Sequence, residues 1–223
     1  MGQKVFRELV SVEDAKKILG KYFVAQPIGI EECSLETCGG RFLGENIEAR
    51  IDVPPFDRAS MDGFAVHAVD TFGAEEDKPV SLSVIGKIGA GETLKSSVAD
   101  GEAIEISTGA PIPSGANAVV MVEYTWHERE SLKVYKSVVP GENIMAAGSD
   151  IMAGELVLRK GDHLTPRETG VLSALGVTKL KVLKKPRVAV ISTGNEVASP
   201  GTLLEYGKIY DINARTVSDS IIE

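Results

Sequence analysis

The chain has 223 residues, 43% of them hydrophobic and 25% charged, with a net charge of −8. That length holds one large or two small domains with a real interior. The acidic balance argues against nonspecific nucleic-acid binding and gives no attraction to anionic lipid, and no apolar run reaches spanning length, so neither nucleic acid nor membrane is expected as a partner.

Residues 1–8 lack a signal-peptide core and make a poor myristoylation signal. A helix is expected next: Ser11 is the N-cap, Asp14 closes a capping box, Val12, Ala15, Ile18 and Leu19 recur at helical spacing, and Gly20 is the expected stop. Residues 21–55 read as extended pieces with a short helical segment near Leu35–Leu43. Cys33 and Cys38 do not make a zinc set. With no export signal they are read as reduced thiols of a cytoplasmic protein. His67, His127 and His163 are scattered and none is assigned to a metal.

From Phe56 to Gly148 the pattern is β. Phe64-Ala65-Val66 reads as the start of a buried strand and Ala103–Ile106 as another. Val80–Ile85 and Leu132–Tyr135 alternate, and Ala118–Val122 is a continuous apolar strand. The 23 glycines, 10 prolines and 5% aromatic content agree with a turn-rich β body. Thr165-Pro166-Arg167-Glu168 is a helix start with a capping box and proline at the first turn, and Gly176 is its stop. Lys181–Pro186 reads as a basic, proline-ended hinge. Val188–Ile191 then reads as a buried strand, and a helix over Asp211–Ile222 follows, with Asn213 as a candidate N-cap and both Asp211 and Asn213 read as helix-capping residues. Strand, loop and helix are how an α/β domain opens.

Four places invite chemistry. Asp62 lies in an Asp-Gly pair between apolar residues. A carboxylate on a rigid turn can hold a cation, although an Asx-turn residue reads the same way and is commoner. Thr108 follows a strand and precedes a glycine, where a hydroxyl and backbone N–H groups can bind an oxyanion or can bond their own turn. Asp150 follows Gly148-Ser149 in what reads as a plain turn. Ser192, Thr193, Gly194 and Glu196 stand at the carboxyl end of the expected 188–191 strand. This is the natural place for a phosphate in an α/β domain, with Glu196 able to bind a metal or orient a ligand.

Taken as strings, these stretches resemble one family. Residues 54–66 (PPFDRASMDGFAV), 106–120 (ISTGAPIPSGANAVV), 143–151, 187–197 (RVAVISTGNEV) and 207–213 (GKIYDIN) are similar, in order, to the signatures of the MoeA family, the molybdopterin molybdotransferases also represented by the C-terminal part of gephyrin. The resemblance implies a mixed α/β multi-domain protein. Residues 1–55 plus 149–185 would form an elongated α+β linker and dimerisation domain, 56–148 an inserted β-rich lobe, and 186–223 the truncated start of an α/β molybdopterin-binding domain. It implies insertion of molybdate into adenylylated molybdopterin with release of AMP, assisted by Mg²⁺. A homodimer is implied, as is a molybdopterin-adenylating protein of the same pathway as partner. Asp62 and Asp150 fall on positions of the catalytic cleft. Thr108 belongs with the β lobe's share of the cleft, and Ser192, Thr193, Gly194 and Glu196 with the α/β side; the metal ligands stay unassigned. Met145 stands where the family often has Arg, and Ser149 where an acidic residue is common. The family's molybdopterin-binding segment is expected beyond residue 223, so the chain alone is expected to be inactive. The rival reading is a non-catalytic dimerising or cofactor-binding module.

Overall fold

The computed structural model describes residues 10–93 and 96–222. The N-terminal stretch read for export and lipidation signals lies outside the described residues. In chain order the elements are α1 (Val12–Tyr22), β1 (Ile30–Ser34), β2 (Ile47–Glu48), β3 (Arg58–Ala59), β4 (Gly63–Val66), β5 (Val80–Ile88), β6 (Glu102–Ile106), β7 (Ala118–Met121), β8 (Thr125–Glu128), β9 (Ser131–Val134), β10 (Ile144–Met145), β11 (Leu156–Leu158), α2 (Pro166–Ala174), β12 (Lys179–Leu183), β13 (Val197–Ala198), β14 (Ile209–Tyr210) and α3 (Ile212–Ile222). The fold is mixed α/β. It divides into two compact units, Glu31–Leu183 and Met1–Ile30 with Lys184–Glu223. The boundaries expected near residues 56 and 148 fall inside the larger unit.

A six-stranded sheet in the order β7-β4-β6-β5-β9-β8 organises the larger unit. All four residues of β4 are buried because it lies between β6 and β7, both antiparallel to it. Cross-strand partners share a face of a sheet. Phe64 and Val66 therefore join Val120, Ala118 and Leu82 in one apolar cluster. Ala65 joins Ile104 and Val119 in a second, with Ile88 and Ile106. A strand covered on both faces needs a continuous apolar run, which is why Phe-Ala-Val and Ala-Val-Val-Met do not alternate. Gly63 opens β4 for a different reason: a Cβ there would lie 1.9 Å from the Val120 carbonyl oxygen. Only a residue without a side chain lets the two backbones approach so closely.

A third cluster lies outside the sheet, where Leu43, Leu158, Leu164, Leu172, Leu180 and Val182 pack with Cys38. The β1–β12 and β2–β11 ladders frame it. α2 presents Leu172 to it, started as expected by Thr165, whose hydroxyl accepts from Arg167 N while Glu168 accepts from Thr165 N at 3.0 Å. Both cysteines are free thiols, and burial pushes that of Cys38 up. The expected hinge at 181–186 needs correction. Lys181–Leu183 is the end of β12, held by its pairing with β1, and irregular chain begins only at Lys184.

In the smaller unit α1 begins at the expected cap, with Ser11 Oγ accepting from Asp14 N at 3.1 Å. It continues through Gly20 to Tyr22, because nothing crowds that glycine and the helical bonds carry on. The strand expected at Val188–Ile191 belongs to no sheet among the described residues. An apolar run becomes a strand only when a neighbour supplies the other half of the ladder, and Ile191 is 81% exposed. The strands that form are β13 and β14, a short parallel pair. Of the two residues expected as caps, Asp211 caps α3, its Oδ1 accepting from Ala214 N at 2.9 Å, while Asn213 lies inside the helix. No helix among the described residues is long and apolar enough to cross a membrane.

Candidate functional site

The register of the sheet builds the centre of the site. Gly63 at the start of β4 faces Ile106 at the end of β6 on one side and Met121 at the end of β7 on the other. The residues just beyond these ends are therefore neighbours: Asp62, the 107–109 turn and Val122. Thr108 donates both its backbone N–H and its hydroxyl to Asp62 Oδ1, at 2.7 and 2.8 Å. Val122 N donates to the Asp62 carbonyl at 3.1 Å. The two residues singled out separately in the sequence, 46 positions apart, thus form one unit.

These bonds stabilise the carboxylate form, so the backbone and hydroxyl of Thr108 hold the Asp62 carboxyl below its usual range even though it is exposed. Oδ2 takes no hydrogen bond from a described residue. Asp62 thus presents a charged oxygen donor, fixed in direction and open to solvent. Thr108 differs from the expectation for it. Its donors are aimed at Asp62, Gly109 N bonds to the Ala59 carbonyl, and Ala110 N bonds to the Ser107 carbonyl. The turn, with Gly109 at φ 82°, is internally satisfied and offers no free N–H cradle for an oxyanion.

The same strip of backbone runs on toward Asp150. Ala59 N bonds to the Ala110 carbonyl at 2.9 Å, Ser60 N to the Asn143 carbonyl at 3.0 Å, and β3 pairs with β10. Asp57, which reads as a neighbour for Arg58, instead accepts from Ala147 N at 2.8 Å. Arg58 directs Nε and a terminal NH₂ at the Met145 sulfur, at 3.3 and 3.1 Å, and pairs with no carboxylate among the described residues. Asp57 thereby pins the turn that carries Asp150. That role was not visible in the sequence, since the two partners are 90 positions apart with no local signal between them. Asp150 is exposed, with its N–H on the Val53 carbonyl at 2.9 Å. No hydrogen bond joins its side chain to Asp62 or Thr108 among the described residues.

Ser192, Thr193, Gly194 and Glu196 are exposed residues of the smaller unit. The Ser192 hydroxyl, and after it the Ala214 N–H, hold the Asp211 carboxyl below its usual range. The Glu196 carboxylate folds back over Gly194, where an added Cβ would be 2.8 Å from its Oε1. The Lys208 ammonium reaches the Asn195 carbonyl and brings a cation to the loop.

The family profile described as the MoeA N-terminal region (domain I and II) matches residues 10–176. The chain belongs to the MoeA family. Among curated MoeA relatives, molybdopterin molybdenumtransferase 2 of Mycobacterium tuberculosis is 40% identical over 205 residues, 92% of this chain and 50% of that protein. The molybdopterin molybdenumtransferase of Staphylococcus aureus is 41% identical over 180 residues, covering 81% and 43%. Two crystal structures of the molybdopterin biosynthesis MoeA protein of Pyrococcus horikoshii superpose with TM-scores of 0.83 and 0.86, at 47% and 40% identity. They cover 97% and 96% of this chain against 55% and 57% of theirs. The chain therefore spans about half the length of the MoeA relatives it matches.

Among the described residues, no group of three metal-ligating side chains includes Asp62 or Asp150. Mg²⁺ commonly takes one or two carboxylates and leaves its other positions to water and phosphate oxygens. A fixed carboxylate with one free oxygen, as Asp62 presents, fits that demand.

Proposed function

We propose that this chain supplies the β-lobe share of a molybdopterin molybdotransferase site, in which molybdate enters adenylylated molybdopterin and AMP is released. The observation that carries the reading is the Asp62–Thr108 pair: a solvent-facing carboxylate kept charged and aimed by two donors from the neighbouring strand end. Bound there, Mg²⁺ would neutralise charge on the adenylyl phosphate. Asp62 would be its carboxylate ligand through Oδ2, and Thr108 a positioning residue that fixes Oδ1. Asp150, on the turn pinned by Asp57, would complete the acidic rim. Ser192, Thr193, Gly194 and Glu196 would serve the α/β side of the cleft. The domain division at 1–55 with 149–185, 56–148 and 186–223 belongs to the same reading. So do a cytoplasmic homodimer and docking of a molybdopterin-adenylating protein. The exposed Ile18 and Leu19 of α1 support a subunit contact there.

The test is AMP release from adenylylated molybdopterin in the presence of molybdate and Mg²⁺. Two proteins would be assayed: this chain, and a chimaera joining it to the remaining half of the S. aureus relative. No turnover is expected from the chain alone. Turnover is expected from the chimaera, abolished by Asp62→Asn with little change in its unfolding midpoint at neutral pH. Substantial AMP release by the chain alone would show that the remaining half is dispensable. A fully active Asp62→Asn chimaera would remove Asp62 from the site.

A further inference from the structure

The strands that carry Asp62 and Thr108 have a second pair of ends. Where β4 finishes, Val66 is followed by His67 and then by a 3₁₀ turn, Ala68–Thr71, that holds Asp70. Where β6 begins, Glu102 is preceded by Asp100 and Gly101. β4 and β6 are antiparallel, with Val66 opposite Ala103, so these two segments meet at the far end of the sheet from Asp62. One ligand atom each from His67, Asp70 and Asp100 can be chosen so that all lie within 4.8 Å of one another. His67 Nδ1 is 3.4 Å from Asp100 Oδ1.

Asp70 is the anchored member. Its Oδ2 accepts from Gly101 N at 2.8 Å, which fixes the carboxylate and leaves Oδ1 without a partner among the described residues. That bond also ties the Asp70 turn to the Asp100 loop. His67 is half-buried at the strand end and Asp100 is 91% exposed, so one ligand is placed by the sheet, one by a backbone donor, and one is free to swing in. Transition-metal bonds to His and carboxylate are about 2.0–2.2 Å long, so two ligand atoms at tetrahedral angles on one ion lie roughly 3.3–3.6 Å apart. The His67–Asp100 pair already has that spacing, and rotation of the exposed Asp100 side chain can adjust the set to Asp70.

We propose that His67, Asp70 and Asp100 form a binding site for a divalent transition ion of the zinc class, with water completing its coordination. The donor set makes the choice. An imidazole nitrogen suits Zn²⁺, Co²⁺ or Ni²⁺, whereas Mg²⁺ and Ca²⁺ favour all-oxygen sets of higher number. The site is separate from the Asp62 end, and nothing in it depends on the proposed transferase reading. Its effect is to cross-link the 67–71 segment to the 99–101 loop, so a bound ion stabilises the larger unit by mass action.

Zn²⁺ calorimetry and Co²⁺ visible absorption on the purified chain test this, with thermal unfolding alongside. One equivalent is expected to bind and to raise the Tm. His67→Ala and, independently, Asp100→Asn are each expected to weaken binding by at least about tenfold. The exposed position of Asp100 makes its variant the one that folds without question. His163→Ala is expected to bind as the parent does. No saturable binding at millimolar metal would overturn the proposal. So would binding that survives both His67→Ala and Asp100→Asn, or binding lost in His163→Ala.

Discussion

The two units are made of similar amino acids and differ in what those residues touch. Every fully buried side chain among the described residues, from Leu43 and Ile104 to Leu172 and Val182, belongs to Glu31–Leu183. In the smaller unit Ile18, Leu19, Ile191, Ile212 and Ile222 are all exposed. Its helices stand on caps and backbone bonds, by Ser11 and Asp211, without an interior of their own. Local signals suffice to start an element, whereas a core needs partners from distant parts of the chain. The Asp62–Thr108 pair belongs to the cored unit, and the 192–196 loop to the other.

The sharpest way to break this contrast uses two glycines. Gly63→Ala pushes a methyl group into the Val120 carbonyl of the neighbouring strand β7. It should cost more than about 4 kcal/mol in urea unfolding, an effect reserved for strained or overpacked sites. Gly20→Ala enters open space within α1 and should favour that helix by about 0.5–1 kcal/mol, leaving the larger unit's transition where it was. Equal and large losses from both would mean that the smaller unit is as tightly packed as the larger.

Next in size is a pair of leucines. Leu43→Ala empties a fully buried place in the third core and should cost about 2–5 kcal/mol. Leu19→Ala, at 65% exposure, should stay within about 0.5 kcal/mol. A large loss at Leu19 measured only at high protein concentration would reveal a covering subunit.

The smallest effect is on pH dependence, and here the units should behave alike. Asp62 and Asp211 both have carboxyls held below the usual range, by Thr108 and by Ser192 with the α3 N-terminus. A lowered folded pKa contributes stability that is fully present above the unfolded value, about 3.9 for Asp, and is lost as pH falls through the folded one. Asp62→Asn and Asp211→Asn should each flatten the acid-side decline of the urea midpoint, the first in the sheet unit and the second in the helix signal. A steeper decline in either variant would reverse the sign assigned to its hydrogen bonds.

What could be read from sequence follows the range of each signal. The α2 start was complete in four adjacent residues, and the caps and strands of the sheet were legible from runs and alternation. The β8 strand escaped, since Thr-Trp-His-Glu is polar and becomes a strand by pairing with β9. Asp62-Gly63 read as a turn, yet the glycine is the first residue of a central strand, selected by a carbonyl 57 positions away. Asp62 and Thr108 were each visible as candidates, but their bond follows from antiparallel register. Asp57 on Ala147 and His67 beside Asp100 have no local trace at all. The strand expected at 188–191 failed for the converse reason: its local signal was strong and its ladder partner was missing.

The β8–β9 hairpin gives the chain an optical handle. Its single tryptophan, Trp126, lies on that hairpin, 46% exposed, with the Lys133 ammonium 5.3 Å from the ring centroid. Indole emission therefore reports from the rim of the sheet alone. Of the five tyrosines, Tyr22, Tyr206 and Tyr210 lie in the other unit and Tyr124 and Tyr135 in the sheet's own, so tyrosine absorption mixes the two. Excitation at the red edge, where tyrosine is dark, therefore follows the melting of the sheet without any label.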